Sequence, residues 1–175
     1  IALLNSVRRG PEDRFLHERI VHDRDRPSST KQRVLAALSN NGVVSVTVGA
    51  WEGRRVAIGP LYGGEYKVAL GAPSFAFDSG APLLPVFTLR MPNGTYRTIV
   101  GAPLGESARD SREGFLLAAS EELLYEHGPM VQSYPDQWRG WKDWIEQSRR
   151  GRQGAQGCDG ADGAAQIAPA REPSA

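Results

Sequence analysis

The sequence predicts an α/β fold, a mixed and largely buried sheet flanked by helices, followed by a disordered carboxyl-terminal tail. Three observations predict it. Residues 43–48 form a β-branched run, Val-Val-Ser-Val-Thr-Val, directly after a helix-like segment. Residues 81–87, Ala-Pro-Leu-Leu-Pro-Val-Phe, are a short apolar run without alternation behind Gly80, the pattern of a strand buried on both faces. From Ser148 onward the composition shifts to Gly, Ala, Gln, Arg and Pro. Such a segment buries too little apolar surface to offset the entropy of ordering it. Residues 1–149 are therefore expected to form one α/β domain and residues 150–175 its tail.

Composition narrows the function classes. The chain has 175 residues, 40% apolar and 23% charged, enough for one globular domain with a core. Its net charge of +1 gives no general case for nucleic-acid binding, and no nucleic-acid partner is expected. The one cysteine, Cys158, excludes an internal disulfide and a multi-cysteine zinc site, and no metal or cofactor is expected. No apolar run approaches the roughly 20 residues that span a bilayer, and no signal-peptide pattern is visible. The chain opens Ile-Ala-Leu-Leu-Asn-Ser-Val, which reads as the interior of a strand and raises the expectation of an upstream portion.

The elements follow in order. Residues 1–7 read as a strand closed by Gly10 and Pro11. Residues 12–21 suit a helix with Phe15, Leu16, Ile20 and Val21 on one face. The loop from His22 to Pro27 alternates in charge. A metal or acid/base site at His22 and Asp23 is a much weaker reading of it than a solvated loop. A helix starts at residues 28–30, with Ser29 and Gln32 as a capping box and Val34, Leu35 and Leu38 as its buried stripe. Asn40, Asn41 and Gly42 end it with a left-handed cap, and the strand 43–48 follows. Residues 56–58 suit a short strand and 59–64 a loop with an exposed Tyr62. A small-residue helix then starts near 66 or, given Pro73, near 72. After the apolar strand, Pro92, Asn93 and Gly94 make a hairpin turn into a strand over 95–100. Asp110 and Glu113 suit the capping pair of a helix through Glu126, with Phe115, Leu116, Ala119 and Leu123 inward, stopped by His127, Gly128 and Pro129. Trp138, Trp141 and Trp144 sit at threefold steps that suit one helix face.

Three blocks carry chemistry. Glu52, Gly53, Arg54 and Arg55 follow the strand 43–48 at its carboxyl end, where open α/β sheets place ligands. Ala81-Pro82-Leu83-Leu84-Pro85-Val86 forms the second block, with Pro82 thirty residues after Glu52. Tyr134-Pro135-Asp136-Gln137-Trp138, with Trp141, forms the third. In this order the blocks resemble those of the lysophospholipid acyltransferase superfamily, nearest its lipid A biosynthesis (lauroyl/myristoyl) branch, over roughly residues 29–145. The first is similar to that family's Glu-Gly-Thr-Arg block, the second to its Val-Pro block, and the third to its Pro-x-Gln-Trp…Trp.

The resemblance implies transfer of a fatty acyl group from an acyl-carrier-protein or acyl-coenzyme A thioester to a hydroxyl of a lysophospholipid or lipid A precursor. It implies a membrane surface as partner, on the cytoplasmic face of a bacterial inner membrane. It also implies that the arginine of residues 52–55 binds the acceptor's phosphate, for which a planar, permanently charged guanidinium is suited. Arg54 and Arg55 compete for that place, and strict alignment favours Arg55. Pro82 and Pro85 would position the acceptor. The family's general base is a histidine with an acid five residues on, which orients the imidazole. Here His17 is followed by His22, His22 by Pro27 and His127 by Gln132, so no catalytic residue is assigned within this chain.

Plainer readings stand beside these. Residues 52–55 also suit an ordinary solvated turn. The tryptophans suit a membrane-interface belt or packing of the last helix on the domain. Tyr62 and Tyr66 suit an acyl groove, with plain packing as the default. The alternative function is a non-catalytic homologue that binds a lipid or a protein partner through the same groove. An unrelated nucleotide binder is disfavoured, because no Gly-rich phosphate loop follows a strand.

Overall fold

The computed structural model describes residues 14–20, 27–47, 55–154 and 165–166. The strand expected over 1–7 and the block residues Glu52, Gly53 and Arg54 lie outside the described residues. The chain divides into two compact units, one up to Val44 and one from Ser45.

In the first unit the sequence is only partly obeyed. Of the helix expected over 12–21, Arg14 and Phe15 are helical and residues 16–20 are not; Phe15 is exposed. Helix α1, Pro27–Ser39, begins one turn earlier than expected. Proline suits a first helical turn because its missing N–H has no partner there anyway. Ser29 therefore lies inside the helix and does not head a capping box. The helix end matches its expectation. Asn41 takes the left-handed conformation (φ 59°), its N–H reaches the carbonyl of Leu38 and that of Gly42 the carbonyl of Ala37 at 2.9 Å. These are the two bonds of a Schellman cap. Residues 43–47 then form no strand, and Val43 is 98% exposed. β-propensity expresses a fit to neighbouring strands, and a run without a partner edge stays irregular.

The second unit is built on a hairpin whose first strand begins at the short strand expected over 56–58 and replaces the loop expected over 59–64 and the helix start expected near 66. Strands β1 (Val56–Leu61) and β2 (Gly64–Ala69) pair antiparallel around Tyr62 and Gly63. Both turn residues have positive φ, 51° and 69°, the pattern of a two-residue hairpin turn matched to strand twist. Pro60 is tolerated because Leu61–Gly64 is the hydrogen-bonded pair, which leaves its absent N–H facing away from β2. Ala57, Leu61, Tyr66 and Val68 alternate inward from the two strands. Helix α2, Gly71–Ser79, follows and buries Ala72, Pro73 and Ala76. Gly80 caps it with φ 73°.

The apolar run is not a central strand. Only its end belongs to β3 (Val86–Arg90), which pairs with β4 (Tyr96–Val100) alone. Val86 is 57% exposed and Leu84 is also exposed. Pro82 and Pro85 lack the N–H a ladder needs, so residues 81–85 lie extended beside the hairpin. The carbonyl of Pro85 accepts from Gly101 at 2.9 Å and that of Leu83 from Leu104 at 2.8 Å. The turn at Pro92, Asn93 and Gly94 and the returning strand are as expected.

Helix α3, Arg112–Ser133, is capped by Ser111, whose hydroxyl accepts the N–H of Gly114 at 3.0 Å. Ser and Asp cap about equally well, and burial of Phe115 and Leu116 decides between Ser111 and Asp110. The helix runs past Pro129 rather than stopping there. The bond lost to Pro129 is that to the carbonyl of Tyr125, on a side of the helix open to water, while Val131 further on is buried. Helix α4, Trp141–Gly154, extends into the segment expected to be disordered. Within that same segment Ala165–Gln166 form β5, parallel to β1 at Ala57 and Ile58. The protein is thus mixed α/β, but among the described residues it has two small sheets of three and two strands in place of one large buried sheet. Its core gathers Ala57, Leu61, Tyr66, Val68, Phe115 and Leu116 between the β1–β2 hairpin, α2 and α3.

Candidate functional site

Of the residues expected to bind substrate, Arg55 is described and exposed, immediately before β1. Its carbonyl accepts the N–H of Leu70 at 3.1 Å, which ties the end of the first block to the start of α2. Pro82 is exposed. Pro85 is buried against Gly101, where a Cβ would come within 2.7 Å of the proline ring. Nearby, Arg109 donates to the carbonyl of Ala81 at 2.8 Å, pairs with Glu106 and lies 4.7 Å from the centre of the Phe115 ring.

The third block meets β3, the strand in which the second block ends. The side-chain amide of Gln137 accepts the backbone N–H of Arg90 at 2.7 Å and donates to its carbonyl at 3.0 Å. It thereby occupies the outer edge of β3 as a neighbouring strand would. Gln137 belongs to the third block but had no assigned role. A lone glutamine after Pro-Asp carries no sequence signal for a partner 47 residues away.

Around that contact lies an aromatic cluster. Trp138 packs on Trp141 (centroids 4.7 Å apart), His127 (5.1 Å), Tyr66 (5.9 Å) and Tyr62 (6.4 Å). Tyr62 stacks on Trp141 and meets Trp144 edge-on. The indole N–H of Trp144 donates to the carbonyl of Leu61 and that of Trp141 to Pro135, so the polar ends of both rings are satisfied. The Tyr62 hydroxyl donates to the carbonyl of Gly128 in α3. This bond anchors a turn residue held at positive φ, which a non-glycine adopts only where its surroundings impose it. Trp138 and Trp144 pack on the core, but the three tryptophans do not share one helix face, because Trp138 precedes α4 in extended conformation. Burial pushes the Tyr66 phenol up, with the carboxylate of Asp143 adding to the effect. Burial also raises that of Tyr62, partly offset by a backbone contact with Gln132.

His127 lies between Phe87 and Trp138, and its Nδ1 is buried without a hydrogen-bond partner. Burial lowers its pKa below 6.5. The unfolded chain therefore binds this proton more readily than the native protein does. Stability is full above the unfolded value and falls as pH drops from 6.5 toward the native pKa. His127→Phe is expected to flatten that part of the curve of Tm against pH, measured by thermal melts. An unchanged slope would mean that other groups set it.

Among the described residues no three His, Cys, Asp or Glu side chains gather as metal ligands. None of the described helices is long and apolar enough to cross a membrane. No family model, curated protein or solved structure matches this chain.

Proposed function

We propose that this chain is the carboxyl-terminal part of a membrane-associated acyltransferase acting on a lysophospholipid or lipid A precursor, at the cytoplasmic face of a bacterial inner membrane. The observation that supports it best is the pairing of Gln137 with Arg90. The third block, at Gln137, adjoins β3, the strand in which the second block ends, although the two are distant in sequence. The bond from Leu70 to Arg55 joins the end of the remaining block to α2, which leads into the second.

In the proposed reaction the acceptor's hydroxyl oxygen attacks the thioester carbonyl carbon of acyl-carrier protein or acyl-coenzyme A. A C–O ester bond forms, the C–S bond breaks and the thiolate leaves, taking up the proton removed from the hydroxyl. Residues 52–55 hold the acceptor's phosphate, with Arg55 as the principal cation. The segment from Pro82 through Pro85 to Arg90 positions the acceptor. His127 does not serve as the general base, since its ring is packed among aromatics and its Nδ1 has no orienting acid. The base comes from outside this chain's three histidines.

An acyl-transfer assay on the full-length gene product tests the reading, with both thioester donors and a panel of phosphorylated and unphosphorylated lipid acceptors. Arg55→Ala is expected to raise the acceptor KM roughly tenfold or more, because a charge-assisted phosphate contact contributes about 1.5–3 kcal/mol. If neither Arg55→Ala nor Arg54→Ala changes KM or kcat, the phosphate assignment is wrong. Lipid binding without transfer from any donor would identify a non-catalytic homologue.

A further inference from the structure

The β3–β4 hairpin has one face turned outward. Strand alternation and the register Val86–Val100, Thr88–Thr98 and Arg90–Tyr96 place those six side chains together, and all six are exposed. Phe87, Leu89 and Ile99 point the other way and are more buried, and Arg97, opposite Leu89, shares that reverse face but is exposed. Val86, Tyr96 and Val100 are 57%, 70% and 58% exposed, a high value for three such side chains on one small sheet. β4 has no neighbour besides β3 among the described strands. The turn end is an open depression lined in part by Met91, Asn93, Tyr96 and Arg97.

The charge on this element is one-sided. Residues 79–105 contain no Asp or Glu, and Arg90 and Arg97 are their only charged side chains. Among the described residues neither arginine pairs with a carboxylate, whereas Arg33, Arg109 and Arg112 all do. Exposed valines, an interfacial tyrosine and uncompensated arginines together fit a surface that is apolar below and negative at its rim. A second copy of the chain fits less well, because it would bring the same unbalanced positive charge to the contact.

We propose that the outward face of the β3–β4 hairpin is the surface by which this chain docks on an anionic lipid bilayer. Tyr96, Val86 and Val100 enter the headgroup boundary and Arg90, on the same face, meets lipid phosphates, while Arg97, exposed on the reverse face, adds to the positive charge of the hairpin. The inference stands on the hairpin alone and holds whether or not the chain transfers acyl groups.

Co-sedimentation of the 175-residue chain with vesicles tests it, without any acyl donor. One set is phosphatidylcholine alone, and in the other about a third of the lipid is phosphatidylglycerol, which supplies the negative surface potential. The chain is expected to pellet with the anionic vesicles, weakly with the neutral ones, and less as salt rises. Arg90→Gln is expected to weaken anionic binding roughly fivefold, an arginine near the surface contributing about 1 kcal/mol, and Arg97→Gln, on the reverse face, to weaken it less. Val86→Ser with Tyr96→Ser is expected to weaken it further, with thermal melts confirming that the exposed substitutions leave the fold intact. Failure to pellet with anionic vesicles, or full binding by Arg90→Gln, would overturn the proposal. So would hairpin variants that lower the mass of the chain in solution while leaving vesicle binding intact, since the face would then be a contact between copies.

Discussion

Phe115→Ala is expected to cost about 4 kcal/mol, the largest single effect in this protein, because Phe/Trp→Ala changes in a core cost about 3–5 kcal/mol. Phe115 is fully buried, and the neighbours around it cannot collapse into the gap. Phe77 packs on its ring at 5.7 Å between centroids, and the Arg109 guanidinium lies over it. Gly105, held at φ 73°, comes so close that a Cβ there would sit 3.1 Å from the ring. Removing the ring therefore leaves a cavity and deprives Arg109 of its aromatic contact. For a chain of this length the midpoint should fall by roughly 10 °C or more. Phe115→Leu, which refills most of the volume, should cost roughly a third as much. A loss below about 1 kcal/mol for the alanine variant would mean the core around α3 is not as drawn.

Trp138→Ala is expected to cost about 3 kcal/mol and to act on the candidate site as well as on stability. Trp138 is half-buried, so its transfer free energy is smaller than that of Phe115. It touches four aromatic rings, however, and its indole folds over Gly140, where a Cβ would come within 2.6 Å. Without it, His127 and Tyr66 lose a wall, and the turn carrying Gln137 loses its anchor. Chemical denaturation should show the stability loss. Hydrogen exchange at the Arg90 amide should quicken beyond the global change, because Gln137 is its acceptor. Trp138→Phe should retain part of both effects. An Arg90 amide that exchanges no faster in Trp138→Ala would show that Gln137 is held independently of the cluster.

Pro135, Asp136, Gln137 and Trp138 were visible as a unit because their spacing is local. That Gln137 pairs with Arg90 was not visible, since nothing in either segment specifies the other. The hairpin of β1 and β2 was missed for a related reason. Its turn places Tyr62 in a conformation that favours glycine, asparagine and aspartate, and the bond to Gly128 that holds it there is a tertiary contact. The run at residues 43–47 erred in the opposite direction, since its strong β-propensity found no partner strand among the described residues.

By itself the sequence determined what depends on neighbours a few residues away. The left-handed cap at Asn41, the turn at Asn93 and Gly94 and the buried stripe of α3 all belong to this class. Tertiary structure alone decided how far α3 runs past Pro129, whether the proline-bracketed run is central or peripheral, and which aromatic rings share the cluster. Proline costs a helix one bond wherever it occurs, but whether the helix survives depends on what the next turn buries, here Val131. An apolar run is equally apolar at a sheet's centre or its edge, and only the strands available to pair with it decide where it lies.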